Sequence, residues 1–264
     1  MSWPRLGLGI GWRPEISGVV TALPGLGFAE VIAESLGRRL PAGLARLRER
    51  GVPVIPHGIR LSLGGAEPVD EDRLAALARA ASLTGAPVVS EHVAFTRAGG
   101  LEAGHLLPVP RTREALAALT ANISRAQASL PVPLAVEPIA ALFDWPDDEF
   151  DEPSFITELA DRTGAGILLD VANVYANARN RHQDPVAVLH RFPLERVAYV
   201  HVAGGRWHDG LYHDTHTDPV PGEVLALLAE LDDLPGVMLE RDGDYPPAAE
   251  LRAELDAIAA AARL

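Results

Sequence analysis

The sequence predicts an α/β protein, a (β/α)8 TIM barrel built as one domain over residues 1–264. Three observations predict it. Eight short runs rich in Val, Ile and Leu recur along the chain without polar alternation, which is how strands buried on both faces read. Segments with helical spacing separate these runs, and strands alternating with helices imply a parallel sheet with crossovers. A chain of 264 residues also suits a single closed barrel, a fold that typically takes about 250.

In order, the runs are LGLGI (6–10), AEVIA (29–33), VPVIP (52–56), PVVS (87–90), PLAV (133–136), GILL (166–169), VAYV (197–200) and GVML (236–239). Residues 14–22 supply the first helix, with the least regular spacing, and LPAGLARLRERG (40–51) the second. DEDRLAALARAASLTG (70–85) opens on acids, repeats apolar residues at three and four, and stops at Gly85. TREALAALTANISRAQASL (112–130) opens at Thr112, and PSFITELADRTG (153–164) follows the same grammar. DPVAVLHRF (184–192), GEVLALLAELDD (222–233) and AAELRAELDAIAAAARL (248–264) complete the set. An open doubly wound sheet is the alternative. GLGIG (7–11) lacks the last glycine of a dinucleotide fingerprint and a strong following helix, so it does not support that alternative.

Composition removes several functions. The chain has no cysteine, which excludes disulfides, thiolate nucleophiles and sulfur-ligated metals. A formal charge of −13 with scattered arginines disfavours nucleic acid as a partner. No run of about 18 apolar residues suggests a membrane span, and MSWPRLGLGIGW does not read as a signal peptide, so the expected compartment is the cytoplasm.

In a barrel of this kind, chemistry sits at the C-terminal ends of the strands. The first ionisable residues there are His57, then Glu91 and His92, then Glu137, Asp170, His201 and Glu240, with Asn173 three residues past Asp170. One polar strand end is an ordinary loop start. Six in succession that offer His, His, Glu, Asp, His and Glu, and not Lys, Ser or Thr, are less ordinary. Carboxylates converging on one partly dry mouth repel each other and take up protons unless cations neutralise them. Metal ions are the obvious cations. A single catalytic zinc uses about three protein ligands, so six candidates imply two or three ions, with Glu137 as the bridge. Imidazole and carboxylate without sulfur suit Fe, Mn or Zn.

The loop LYHDTHTDP (211–219) follows the seventh strand. Asp214 and His216 are two residues apart, so in an extended segment they face one way and His213 the other. That spacing makes Asp214 and His216 candidates for a further ion, together with Asn173. His213 and Asp218 become neighbours or surface residues, and His208, His105, His182 and His190 read as surface or structural.

HGIRLSLGG (57–65), SEHVAFT (90–96), LLPVPRTREAL (106–116), LLDVANVYANA (168–178), HVAG (201–204), DTHTDPVP (214–221) and LERD (239–242) occur in that order. Together they resemble the multinuclear non-heme iron-dependent oxidative enzymes, long catalogued as a bacterial TIM-barrel domain of unknown function. The resemblance covers residues 6 to 242. It implies two or three iron ions, in the Fe(II) and Fe(III) states, held by His57, His92, Glu137, Asp170, Asn173, His201, Asp214, His216 and Glu240. Of these, His57, His92, Glu137, Asp170, His201 and Glu240 would be the catalytic set. Family members act with dioxygen on cysteine, and sometimes on other residues, of ribosomally made precursor peptides in natural-product biosynthesis. Many work with a separate partner protein that recognises the leader.

The sequence departs from the family pattern. GWRPEIS (11–17) has no His after the first strand, and Pro138, Ala172 and Gly205 stand where Asn, Asn and His are usual. The inferred ligands survive, and the residues around them change. Two other classes fit the same residues. One is a divalent-metal isomerase or hydrolase, like xylose isomerase or endonuclease IV, with Mn or Zn. The other is a metal-binding protein without turnover.

Overall fold

The computed structural model describes residues 3–264; Met1 and Ser2, at the head of the stretch read for a signal peptide, lie outside them. The chain runs β1 (Gly7–Trp12), α1 (Ser17–Ala22), β2 (Phe28–Ile32), α2 (Ala42–Glu49), β3 (Val54–Gly58), α3 (Glu71–Thr84) and β4 (Val89–His92). A hairpin of β5 (Ala94–Ala98) and β6 (Leu101–Pro108) follows, then α4 (Arg113–Ser129), β7 (Leu134–Glu137), α5 (Glu152–Thr163) and β8 (Gly166–Asp170). The last part comprises α6 (Val171–Asn180), α7 (Pro185–Leu189), β9 (Val197–Val202), a hairpin of β10 (Gly205–His208) and β11 (Leu211–Asp214), α8 (Gly222–Leu228), β12 (Gly236–Leu239) and α9 (Ala248–Ala261).

Eight parallel strands close a barrel in the order β1-β12-β9-β8-β7-β4-β3-β2. All eight apolar runs are barrel strands, as expected. β1 completes the closure by pairing with both β2 and β12, with Gly9 opposite Phe28 on one side and Met238 on the other. The helices cap as their sequences imply. Asp70 accepts from the backbone N–H groups of Asp72 and Arg73 at the start of α3, and Gly85 ends it in the left-handed conformation at φ 62°. Thr112 and Asp151 cap α4 and α5 in the same way.

Three features differ from the expectation. Helix α6 is not apparent from the pattern: eight of its residues, Val171 through Ala178, are buried, and its polar residues Asn173 and Asn177 face the Pro138 and Ile139 carbonyls and not solvent. The two hairpins are also additional. Each turns on two left-handed residues, Gly99-Gly100 in one and Asp209-Gly210 in the other. Finally, α8 ends at Leu228 and not at 233. The chain tightens there into Glu230 N–H to Leu227 and Leu231 N–H to Leu228 bonds, and Asp233 then turns left-handed ahead of Pro235.

The strands carry two levels of inward side chains. Leu6, Phe28, Ile55, Val88, Ala135, Leu168, Ala198, Tyr199 and Met238 form one closed apolar cluster inside the barrel. Gly9 makes room for it, since a Cβ there would lie 2.5 Å from the Phe28 ring. Two residues further along the strands the inward positions become polar. A strand's side chains repeat every second residue, so Phe28 is followed by Glu30, Ile55 by His57, Val88 by Ser90, Ala135 by Glu137, Leu168 by Asp170, Tyr199 by His201 and Met238 by Glu240. All seven of these polar residues are buried.

Candidate metal centre

The polar level opens to a cavity of about 500 Å³ at the C-terminal ends of the strands, lined by His57, His92, Glu137, Asn173, His216 and Glu240 among others. Glu137 is central. Its Oε2 lies 3.4 Å from His57 Nε2 and 3.4 Å from His92 Nε2, and its Oε1 lies 3.7 Å from His201 Nδ1. The His57 and His92 rings stack edge to face with centroids 4.5 Å apart. His201 Nδ1 lies 2.9 Å from Glu240 Oε2, outside hydrogen-bond geometry. Asp170 has a divided role: Oδ1 accepts from the Ala172 and Asn173 N–H groups and caps α6, and Oδ2 stays free.

Burial is the largest single influence on each of these groups, and charged neighbours together overcome it at His92 and Glu240. It raises the Glu137 carboxyl to about 8, with Glu240 and Asp170 adding to the rise against His92 and His201. Burial and the Asp214 charge raise Asp170 to about 6. Burial opposes the charged form of His92, but Glu137 and Glu91 carry it up to about 9. His57, buried beside His92 and His201, is held well below the usual histidine range. Glu240 stays well below the carboxylate range, because His201 and His216 overcome its burial.

Donor atoms in this region lack partners within the protein. Glu137 Oε2, Asp170 Oδ2, Asn173 Oδ1, His201 Nδ1 and Asp214 Oδ1 are all buried without a hydrogen bond. Leaving such groups unpaired costs roughly 1–3 kcal/mol each, and a cation bound beside them would offset that cost. Three groups have atoms close enough to share an ion: His57, His92 and Glu137; Glu137, Asp170, His201 and Glu240; and His216, Glu240 and Asp242. Glu137 belongs to the first two and Glu240 to the last two. The donor set therefore fits more than one metal ion.

The LYHDTHTDP loop joins this constellation. His216 Nε2 lies 2.6 Å from Asp214 Oδ2, and its Nδ1 lies 3.3 Å from Glu240 Oε2. The geometry that brings them together is not the extended one expected from their spacing. Asp214 ends β11, and His216 sits in the left-handed region at φ 54°, with its N–H bonded to the Gly204 carbonyl. His213 pairs across the hairpin with Arg206, its ring 5.7 Å from that of exposed His208. Asp218 holds the loop by accepting from Thr215 Oγ1 and pairing with Arg206.

Three residues around the site fall outside the strand-end pattern. Asp242 stands two residues past Glu240 and joins the third group. Arg13 enters the cavity from beyond β1, 2.6 Å from Asp242 and 3.4 Å from Glu240, near the position where the family usually has a histidine. Glu30 lies inside the AEVIA run, where a charge among buried apolar residues was the available signal. Glu91, which is absent from the candidate ligand set, accepts from the backbone N–H groups of Leu61 and His92 and so braces the β3 and β4 ends.

Residues 7–263 match the family described as RiPP precursor modification enzyme MbnB/TglH/ChrH. The chain belongs to this family. Its motif resemblance to the multinuclear iron-dependent oxidative enzymes is thereby borne out. Relatives include a UPF0276 protein of Streptomyces avermitilis, 54% identical over 96% of this chain, and one of Caulobacter vibrioides, 38% identical over 96%. The chain spans about half (54%) of the Streptomyces relative's length and 93% of the Caulobacter relative's. Among solved structures, endonuclease IV from Thermus thermophilus superposes with a TM-score of 0.61 at 22% identity, covering 98% of both chains. A xylose isomerase domain protein from Planctomyces limnophilus gives a TM-score of 0.59 at 14% identity, covering 98% of this chain and 95% of that one. At these identities the likeness establishes the TIM-barrel fold alone. Among the described residues, no helix is long and apolar enough to cross a membrane.

Proposed function

We propose that this member of the family is a multinuclear, iron-dependent enzyme that uses dioxygen to oxidise a residue, Cys foremost, in a ribosomally synthesised precursor peptide. The observation that carries this reading is the crowd of unpartnered donor atoms around Glu137 in a chain of the precursor-modification family. His57, His92 and Glu137 would hold one ion. Asp170, His201 and Glu240 would hold a second, with Glu137 as the bridge. His216 with Asp214, Asn173 or Asp242 would take a third. Bound iron would supply an open position for a thiolate and the redox capacity to use dioxygen.

The chain's own residues do the rest. Ile32, Ile59 and Ile139 give the cavity an apolar wall that keeps water from a bound side chain. Arg13 holds Asp242 and Glu240 in place from the β1 side. Four of the five exposed large hydrophobic side chains among the described residues, Leu101, Leu142, Phe143 and Trp207, lie in the β4–α4, β7–α5 and β9–α8 connections at this same end of the barrel. They suit the docking of a peptide or of a leader-binding partner over the mouth.

Metal analysis and a Mössbauer spectrum of anaerobically purified protein test the reading. Iron in two or three coupled sites, with dioxygen consumed when a cysteine-containing precursor is added, is the expected result. Activity retained with zinc or manganese alone would instead support the isomerase or hydrolase class. Tight metal retention without turnover would support a binding protein. In Glu137→Ala more than one ion should be lost, and loss of a single ion would refute the bridging role.

A further inference from the structure

Behind the candidate ligands His57 and His201 a buried hydrogen-bonded chain joins the two through Ser90, Tyr199 and Glu30, which the proposed chemistry does not use. His57 Nδ1 lies 2.8 Å from Ser90 Oγ, and Ser90 Oγ lies 2.7 Å from the Tyr199 hydroxyl. That hydroxyl donates to Glu30 Oε2 at 2.6 Å, and His201 Nε2 lies 2.9 Å from the same oxygen. All five residues are buried, and they come from β2, β3, β4 and β9. The two imidazoles at its ends belong to different candidate metal groups.

The direction of every bond in the chain follows from one carboxylate. A carboxylate only accepts, so Tyr199 spends its single hydrogen on Glu30. Its oxygen must then accept from Ser90. Ser90 has likewise spent its only hydrogen, so it accepts from His57, which therefore carries a hydrogen on Nδ1. At the other end Glu30 accepts a hydrogen from His201 Nε2. We infer that Glu30, acting directly on His201 and through Tyr199 and Ser90 on His57, is the positioning residue that fixes the His57 tautomer, holds the His201 Nε2–H, and turns His57 Nε2 and His201 Nδ1 toward Glu137. These are the atoms that lie 3.4 Å and 3.7 Å from the Glu137 carboxylate. Packing holds the chain in register. The Tyr199 ring meets Phe28 edge to face at 5.8 Å and His201 at 5.5 Å, which holds its hydroxyl between Glu30 and Ser90. Metal-binding histidines are commonly oriented by a carboxylate on their far nitrogen. Here one carboxylate serves two of them.

The inference rests on the metal reading only for its purpose, and the test separates the two. Long-range ¹H–¹⁵N spectra of histidine-labelled, metal-free protein report which nitrogen of His57 carries hydrogen. In the wild type it should be Nδ1. Tyr199→Phe, which keeps the ring and removes only the hydroxyl, should release His57 into a mixture of tautomers and leave the His201 Nε2–H in place. Ser90→Ala should do the same. Glu30→Gln should disturb both rings. A wild-type His57 protonated on Nε2, or one unchanged in Tyr199→Phe, would overturn the inference. Melting curves check that each variant is folded, and a variant that fails to fold is replaced by the next in the chain. Zinc titration of the same samples adds the second readout. Tyr199→Phe should weaken zinc at His57 by about 10–100-fold and spare His201. Absence of any zinc shift at His57 and His201 in the wild type would count against the metal reading, while the tautomer result stands on the metal-free spectra.

Discussion

Phe28, Ile55, Leu168, Tyr199 and Met238 close one level of the barrel; Glu30, His57, Asp170, His201 and Glu240 stand two residues further along the same strands. The backbone of the two levels is the same. What differs is that the lower level buries carbon against carbon and the upper level buries donors and acceptors that the protein leaves partly unmatched. Fully burying one large apolar side chain stabilises the fold by roughly 1.5–3 kcal/mol, whereas each unpaired polar group costs about as much. The lower level therefore supports the upper one. Tyr199 joins them, with its ring in the dry level and its hydroxyl in the polar one.

The largest effect comes from breaking the dry level. Phe28→Ala should lower the stability of the metal-free protein by about 3–5 kcal/mol in chemical denaturation. Gly9→Val should do comparable damage by driving a side chain into the Phe28 ring. A Phe28→Ala variant that lost metal but kept its stability would erase the distinction between the levels.

Next comes metal addition, which acts on the polar level alone. At 100 times its dissociation constant, a bound ion adds about 2.7 kcal/mol to the wild type, seen as a rise in melting temperature. Glu137→Ala should lose most of that rise. Its metal-free form should lose less stability than Phe28→Ala does, because the residue it removes is buried at an electrostatic cost. Equal losses in the two variants would mean that Glu137 is ordinary core.

The dry level was the legible one. Runs such as GILL and VAYV announce strands buried on both faces, and all eight proved to be barrel strands. The strand-end residues were legible for a related reason: inward positions near the C-terminal ends of the strands place His57, His92, Glu137 and Glu240 in the cavity wall, with Asp170 and His201 buried beside them. Less legible were residues whose role depends on a neighbour brought in by the fold. Glu30 reads as an anomaly within AEVIA until His201 and Tyr199 arrive from β9. Arg13 lies outside any strand and matters only because the closing pair β1 and β12 sets it beside Glu240 and Asp242. Helix α6 hid because it is buried nearly all round, and the hairpins because their strands bury little. Gly99-Gly100 and Asp209-Gly210 were the signals that would have found them.

A smaller effect marks the rim, where charges are paired in water and not crowded in the dark. Hydrogen bonds from Arg181 lower the Asp144 carboxyl, with burial opposing and Arg111 assisting, and the pairs tie the β7–α5 loop to the end of α6 and to the segment before α4. A carboxyl lowered in the folded state stabilises above its unfolded value near 3.8, and that stability is lost as pH falls through the lower folded value. Asp144→Asn should therefore cost under about 1 kcal/mol at pH 7, allowing for solvent screening, and nothing near pH 2. Melting curves of the two proteins that stay apart at pH 2 would show that the difference is packing and not charge.

The smallest effect divides the histidine-rich loop itself. His213 and His216 are three residues apart, yet the left-handed turn at His216 sends one toward Glu240 and leaves the other on the hairpin beside His208. His213→Ala should leave metal content, stability and activity unchanged, since its ring packs beside the exposed His208 imidazole on the hairpin. His216→Ala should remove one ion and leave the ions at His57 and His201 in place, which elemental analysis of the two variants reads directly. If His213→Ala also lost metal, the hairpin and not the left-handed turn would be what aims this loop at the mouth. The upper level would then extend past the strand ends into a part of the chain that the barrel does not hold.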